Sequence, residues 1–149
     1  MKPGEVAPAF SLPDQDGTLR ALDEFLAAGP LVLFFYPAAS TTGCTREACH
    51  FRDLAAEFAA AGATRAGISM DAVARQKDFA SANGFDYPLL SDVDGAVARL
   101  YGVKRSLDLL KVRRTTFVIS PDRRILEVFS SELNMNAHAE RALAALARR

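Results

Sequence analysis

Residues 31–36 read Leu-Val-Leu-Phe-Phe-Tyr and are closed by Pro37. An unbroken apolar run of this length, ended by a residue that cannot donate to a sheet ladder, is the pattern of a strand covered on both faces. Such a strand belongs in the centre of a sheet, so the chain must supply covering layers above and below it. The run is far too short to cross a bilayer. At 149 residues, half of them hydrophobic, the chain can build one ordinary core without staples, and a single domain over residues 1–149 is expected.

The remaining elements alternate around that strand. Residues 44–61 carry a helical stripe of Cys44, Ala48, Phe51, Leu54, Ala55 and Phe58, and Gly62 ends it. Residues 63–70 predict a second strand. Residues 72–82 predict a helix with Val73, Phe79 and Ala80 inward and Asn83-Gly84 as its stop. Residues 95–101 form a short helix behind the acidic start 92–94, and residues 115–119 another strand. The turn chemistry of Ser120-Pro121-Asp122-Arg123, followed by alternation over 124–129, makes a hairpin of the last two strands. A closing helix places Ala139, Ala142, Leu143 and Leu146 on one face, with Asn136 as its cap. Residues 10–19, turning at Asp16-Gly17, add an N-terminal hairpin. The order is that of an α/β, thioredoxin-like three-layer fold: a mixed central sheet flanked by helices, with the N-terminal hairpin as an extension.

Basic and acidic residues balance at 18 each, which leaves no electrostatic footprint for nucleic acid or an anionic membrane. The amino terminus lacks an apolar run of signal-peptide length, so a cytoplasmic location is expected. Disulfides are not structural frameworks in a reducing cytosol. The close pair Cys44 and Cys49 therefore reads as catalytic, redox-active or metal-binding.

Ligand sites of open α/β sheets lie beyond the carboxyl ends of the strands, where the loop 37–44 leaves the central strand. Cys44 opens the next helix, so its sulfur faces unpaired backbone N–H groups and the positive end of the helix dipole. An unperturbed thiol is only about 3% ionised at pH 7, so full ionisation gains at most about 30-fold, roughly 2 kcal/mol. Fast chemistry at this sulfur needs more: donors that stabilise charge on a departing atom, such as a hydroxyl and a guanidinium. Thr41, three residues earlier, can supply the hydroxyl.

The segment Pro37-Ala38-Ala39-Ser40-Thr41-Thr42-Gly43-Cys44 resembles the P-x-x-x-T-x-x-C signature of peroxiredoxins. Gly43-Cys44-Thr45-Arg46-Glu47-Ala48-Cys49 is similar to the bacterioferritin-comigratory, or peroxiredoxin Q, subfamily. Gly4-Glu5-Val6-Ala7-Pro8-Ala9-Phe10, Phe85-Asp86-Tyr87-Pro88-Leu89-Leu90-Ser91-Asp92 and Arg114-Thr115-Thr116-Phe117-Val118-Ile119 are similar to the family's opening, middle loop and arginine-bearing strand. The resemblance implies a thiol peroxidase in which Cys44 attacks a hydroperoxide, Arg114 is the guanidinium partner, Thr41 orients the peroxide and Pro37 shields the pocket. Arg113 competes with Arg114 on sequence alone, since neighbours on a strand point to opposite faces. Two departures stand out: Thr42 replaces the usual proline, and Ala38 and Ala39 replace the usual lysine or aspartate.

Attack on the peroxide gives a Cys44 sulfenic acid, which Cys49 condenses into an intramolecular disulfide. In an unbroken helix the two Cα atoms stand about 8.6 Å apart, more than the roughly 7 Å a disulfide tolerates. The first turns must therefore unwind. The resemblance implies thioredoxin as reductant, with glutaredoxin possible, and a monomer; no metal, haem or flavin is required. Two other functions stay open at this point. A thiol–disulfide oxidoreductase normally uses Cys-x-x-Cys, whereas the spacing here is Cys-x4-Cys. A zinc or redox-responsive binding module would use Cys44, Cys49, His50 and a distant ligand. His50 and His138 are expected at the surface, His50 close enough to tune Cys49, and Tyr36 and Phe117 as core or pocket wall.

Overall fold

The computed structural model describes residues 1–105 and 111–149. Its centre is β3 (Leu31–Phe35), in which every residue is buried. Around it stands a five-stranded sheet in the order β5-β4-β3-β6-β7, made with β4 (Thr64–Ser69), β5 (Leu89–Ser91), β6 (Thr115–Ile119) and β7 (Ile125–Ser130). Strand β3 pairs parallel to β4 and antiparallel to β6, so the sheet is mixed, as the alternation and the hairpin predict. β1 (Ser11–Pro13) and β2 (Leu19–Ala21) form the separate N-terminal hairpin, with Asp14 Oδ1 accepting from the backbone N–H groups of Asp16 and Thr18.

Helices cover both faces. Leu22, Phe25 and Leu26 of α1 (Leu22–Ala27) and Val97 and Ala98 of α5 (Ala96–Leu100) pack with Leu31, Leu33, Phe35, Phe117 and Ile119. On the opposite face α2 (Thr42–Asp53), α3 (Ala55–Ala60), α4 (Val73–Asn83) and α6 (Met135–Ala147) pack on Val32, Phe34, Tyr36 and Val118. The odd and even residues of the central strands thus go to different layers, which is the period-two rule acting on a doubly covered sheet.

Five details differ from the sequence reading. The helix expected over 44–61 is two helices, because the backbone leaves helical geometry at Leu54 (φ −96°, ψ 22°). Leu54 and Ala55 are only half-buried as a result, while the break brings Phe58 back against Phe51, ring centroids 5.8 Å apart. In α4 the inward residue ahead of Phe79 is Gln76, not Val73, which is half-buried. Gln76 is tolerated there because its amide donates to Ser69 Oγ and to the Leu90 carbonyl while its oxygen accepts from the Tyr36 hydroxyl. The cap of α6 is Asn134, whose Oδ1 accepts from the Ala137 N–H, rather than Asn136, which is exposed. Strand β5 and helix α1 escaped the pattern reading, being three and six residues long and too short for periodicity to register.

Candidate active site

The loop leaving β3 is tied down before it reaches the cysteine. Asp71, just beyond β4, accepts from the Ala39 N–H and the Ser69 hydroxyl, both at 2.7 Å. Ser40 takes a left-handed conformation (φ 64°), turning the chain into Thr41, the N-cap residue of α2. The first intrahelical bond runs from Thr45 N–H to the Thr41 carbonyl, so the amides of Gly43 and Cys44 have no acceptor within the helix. Cys44 is the third residue of α2 and 1% exposed. The family's usual proline would occupy the first helical position, where a missing N–H does no harm; Thr42 starts the helix there without it.

A cavity of about 590 Å³ opens over the sulfur, lined by Pro37, Ala38, Thr41, Gly43, Cys44, Met70, Asp71, Lys111, Arg114, Glu132, Leu133 and Met135. Of the residues singled out in the sequence, Pro37, Thr41, Cys44 and Arg114 meet here. Pro37 is buried. Thr41 is exposed, makes no side-chain cap, and donates its hydroxyl to the Ala38 carbonyl at 2.8 Å, leaving its lone pairs open to a donor in the cavity.

Arg114 donates from Nη2 to Cys44 Sγ at 3.4 Å and from Nη1 to Glu47 Oε1 at 2.8 Å. Burial works against its charge, but Glu47 and Cys44 outweigh that and hold the guanidinium above its ordinary range. Arg113 is exposed. The alternation of β6 separates the two: Arg114 shares parity with Thr116 and Val118, whose face carries α2 and α6, and Arg113 with Phe117 on the opposite face. Gly43 leaves room for the approach, since a Cβ there would lie a tight 3.3 Å from both Arg114 Nη2 and the Met135 methyl.

Cys49 is not in this cavity. It is half-buried on another side of α2, where its thiol donates weakly to Asn83 Oδ1 at 3.7 Å. Both cysteines are free thiols and α2 is continuous between them.

Sequence reasoning missed the groups behind Arg114. Glu47 is fully buried on α2, and its spacing of three from Cys44 puts it on the same helix face, a signal that was available. Glu132 accepts from the Arg114 backbone N–H at 2.9 Å. His138, expected at the surface, is instead fully buried on α6. Its place four residues before Ala142 on the inward stripe could have shown this. Two partners make the burial affordable: the ring's Nδ1 meets the Thr116 hydroxyl at 2.8 Å and Nε2 donates to the Ser131 carbonyl at 2.9 Å. His50 is half-buried, with Nε2 3.9 Å from Glu140.

The family model for the AhpC/TSA family matches residues 3–128. Rv1608c, a Mycobacterium tuberculosis chain that carries the peroxiredoxin name, is 60% identical over 148 residues, spanning 98% of this chain and 96% of its own. Among solved structures, peroxidoxin BcpB from M. tuberculosis superposes with a TM-score of 0.96 at 59% identity, covering 99% of this chain and 97% of that one. Peroxiredoxin Q of Xanthomonas campestris gives 0.86 at 34% identity, covering 94% and 90%. With a buried cysteine at a helix start, a guanidinium on its sulfur and relatives of this closeness, the chain belongs to the AhpC/TSA family, as a thiol-dependent peroxidase of the peroxiredoxin Q (bacterioferritin-comigratory) kind.

Proposed function

We propose that Cys44 is the peroxidatic thiolate and that Arg114, Thr41 and Pro37 form its pocket. The observation that carries this is the Arg114 Nη2 donor 3.4 Å from Cys44 Sγ at the floor of an open cavity. The sulfur attacks the terminal oxygen of ROOH; the S–O bond forms as the O–O bond breaks, and RO⁻ leaves to take a proton from solvent. The hydrogen on the transferred oxygen stays with it, giving the Cys44 sulfenic acid and an alcohol or water. The guanidinium and the open N–H groups of Gly43 and Cys44 are positive where the departing oxygen turns negative. A hydroperoxide O–H can donate to the free lone pairs of Thr41, which fixes the oxygen to be attacked. Pro37, buried at the rim and lacking an N–H, keeps an apolar wall against the sulfur.

Cys49 is the resolving thiol. It condenses with the sulfenic acid, releasing water and leaving a disulfide whose two electrons come from an external dithiol. Thioredoxin is that dithiol in this reading, with glutaredoxin the alternative, and the enzyme works as a cytoplasmic monomer. Two unpaired cysteines suit a reducing compartment, and no helix among the described residues is long and apolar enough to cross a membrane. Helix α2 must open at its first turns for the sulfurs to meet, since regular helix holds the two Cα atoms about 8.6 Å apart.

Quenched-flow oxidation by hydrogen peroxide, with trapped sulfenic acid counted by mass spectrometry, tests the assignment. Cys44→Ser abolishes the reaction, and Cys49→Ser performs it once and stops at the sulfenic acid. Peroxide consumption by Cys44→Ser at the wild-type rate defeats the reading.

A further inference from the structure

Behind Arg114 lies a buried ionisable pair that the steps above do not use. Glu47 on α2 and His138 on α6 are both fully buried, and Glu47 Oε2 stands 3.3 Å from His138 Nδ1. Oε1 of the same carboxyl accepts from Arg114, whereas Oε2 makes no hydrogen bond with the described residues unless a proton lies between it and Nδ1. The ring's other nitrogen faces the Ser131 carbonyl at 2.9 Å. A carbonyl can only accept, so Nε2 carries a hydrogen in every protonation state and Nδ1 alone is variable.

A carboxylate facing a neutral imidazole would set lone pair against lone pair at 3.3 Å in a dry site. A carboxylate facing an imidazolium would bury two charges. Burial opposes both: it pushes the Glu47 carboxyl up to about 8 although Arg114 pulls it down. It likewise draws His138 down to about 4 against the pull of the Ser131 carbonyl. The arrangement left is a carboxylic acid donating from Oε2 to the single lone pair of Nδ1, with the Thr116 hydroxyl 2.8 Å from the same nitrogen.

We propose that Glu47 and His138 hold one proton between them in the working enzyme, and that this proton keeps the charge of Arg114 uncancelled for the sulfur and the departing oxygen. Both are positioning residues that act through Arg114. Loss of the proton to solvent makes Glu47 a carboxylate on Nη1, which neutralises the guanidinium from behind. Peroxide reduction then declines on the alkaline side.

Every packed element contributes charge here. Helix α2 supplies Cys44 and Glu47, α6 supplies His138, and the lead into β6 supplies Arg114. The β7–α6 loop supplies Glu132, whose carboxylate lies 3.8 Å from Arg114 Nε and 3.8 Å from Arg105 Nη1. Tyr87, bonded to the Ala48 carbonyl, is kept neutral by burial. Glu132 is one-third exposed and screened by water, so the charge on Glu47 is what changes the field at Arg114.

This inference rests on the roles given to Cys44 and Arg114, and Glu47→Gln tests it. Glutamine copies the protonated acid, its oxygen accepting from Arg114 and its amide donating to Nδ1, but it cannot lose that proton. The single-turnover rate of Cys44 oxidation by hydrogen peroxide is followed from pH 6 to 9.5 in both proteins. The ratio of Glu47→Gln to wild type climbs about tenfold between pH 6.5 and 9; a flat or falling ratio overturns the proposal. In Cys44→Ser, which needs no turnover, the nitrogen resonances of His138 report a neutral ring with hydrogen on Nε2 at pH 6.5, and an imidazolium pattern overturns it. Failure of the Cys44 assignment shows separately, as peroxide consumption by that same variant.

Discussion

The two faces of the sheet are built by different rules. Under α1 and α5, Leu31, Leu33, Phe35, Phe117 and Ile119 join one continuous apolar cluster, and the buried polar groups at its margin, Asp92 and the Tyr101 hydroxyl, bond to backbone. Under α2, α4 and α6 the same strands present Val32, Phe34, Tyr36 and Val118 to a layer that also buries Cys44, Glu47, Gln76 and His138. Each of those polar groups is held by named partners: Arg114 for Cys44 and Glu47, Ser69 and Leu90 for Gln76, Thr116 and Ser131 for His138. The first face is a foundation, and the second gives up apolar area to place ionisable groups in low dielectric, where their fields are strong.

The largest expected effect comes from the apolar face. Phe35→Ala leaves a hole beside Phe117 and Tyr101, whose rings lie 5.7 and 5.5 Å away, and should lower unfolding free energy by about 3–5 kcal/mol in urea titration. The residual rate constant of the folded fraction should change little, and a proportionate loss of that constant would erase the division of labour between the faces. Next comes Arg114→Ala, which should slow Cys44 oxidation about 10²–10³-fold, whereas Arg113→Ala on the outer side stays within about twofold. Equal losses in both variants would mean that strand parity does not select the working guanidinium.

The buried pair also writes itself into stability. From pH 4.5 to 6.5, the ordinary values of Glu47 and His138, the folded and unfolded chains each hold one proton on this pair. Above 6.5 the unfolded chain has lost its proton while the folded chain keeps it to about 8, so stability falls as pH rises through that window. The slope is about 1.4 kcal/mol per pH unit, or about 2 kcal/mol in all. Urea midpoints at pH 6.5 and 8 should show the decline in wild type and lose it in Glu47→Gln. The smallest effect is at the edge of the second face: Asn134→Ala removes the cap of α6 and should cost about 1 kcal/mol, with Asn136→Ala near zero.

Local regularities carried much of this into the sequence. The apolar run before Pro37 marks the central strand, the hairpin follows from its turn residues, and the start of α2 beside Thr41 puts Cys44 at the mouth of the sheet. The helix break at Leu54 and the inward Gln76 were not legible, because each depends on partners far along the chain: Arg65 donating to the Phe51 carbonyl near the break, and Ser69 and Leu90 around the glutamine. His138 differs from these: its place on the inward stripe of α6 signals burial, and only the partners that permit it, Thr116 and Ser131, lie elsewhere in the chain.

By itself the sequence determined what operates within a few residues: element type, the order of strands and helices, and a cysteine at a helix start with a second cysteine too far along the helix to bond. Only the tertiary structure decided which arginine reaches that sulfur and what stands behind the arginine. Residues 44, 47, 114, 116, 131 and 138 come from two helices, a strand, its lead-in and a loop, and their distances depend on how the layers pack. Pattern period records which face a side chain takes. Packing across layers settles whom it meets there, and at these separations the meeting sets the charge.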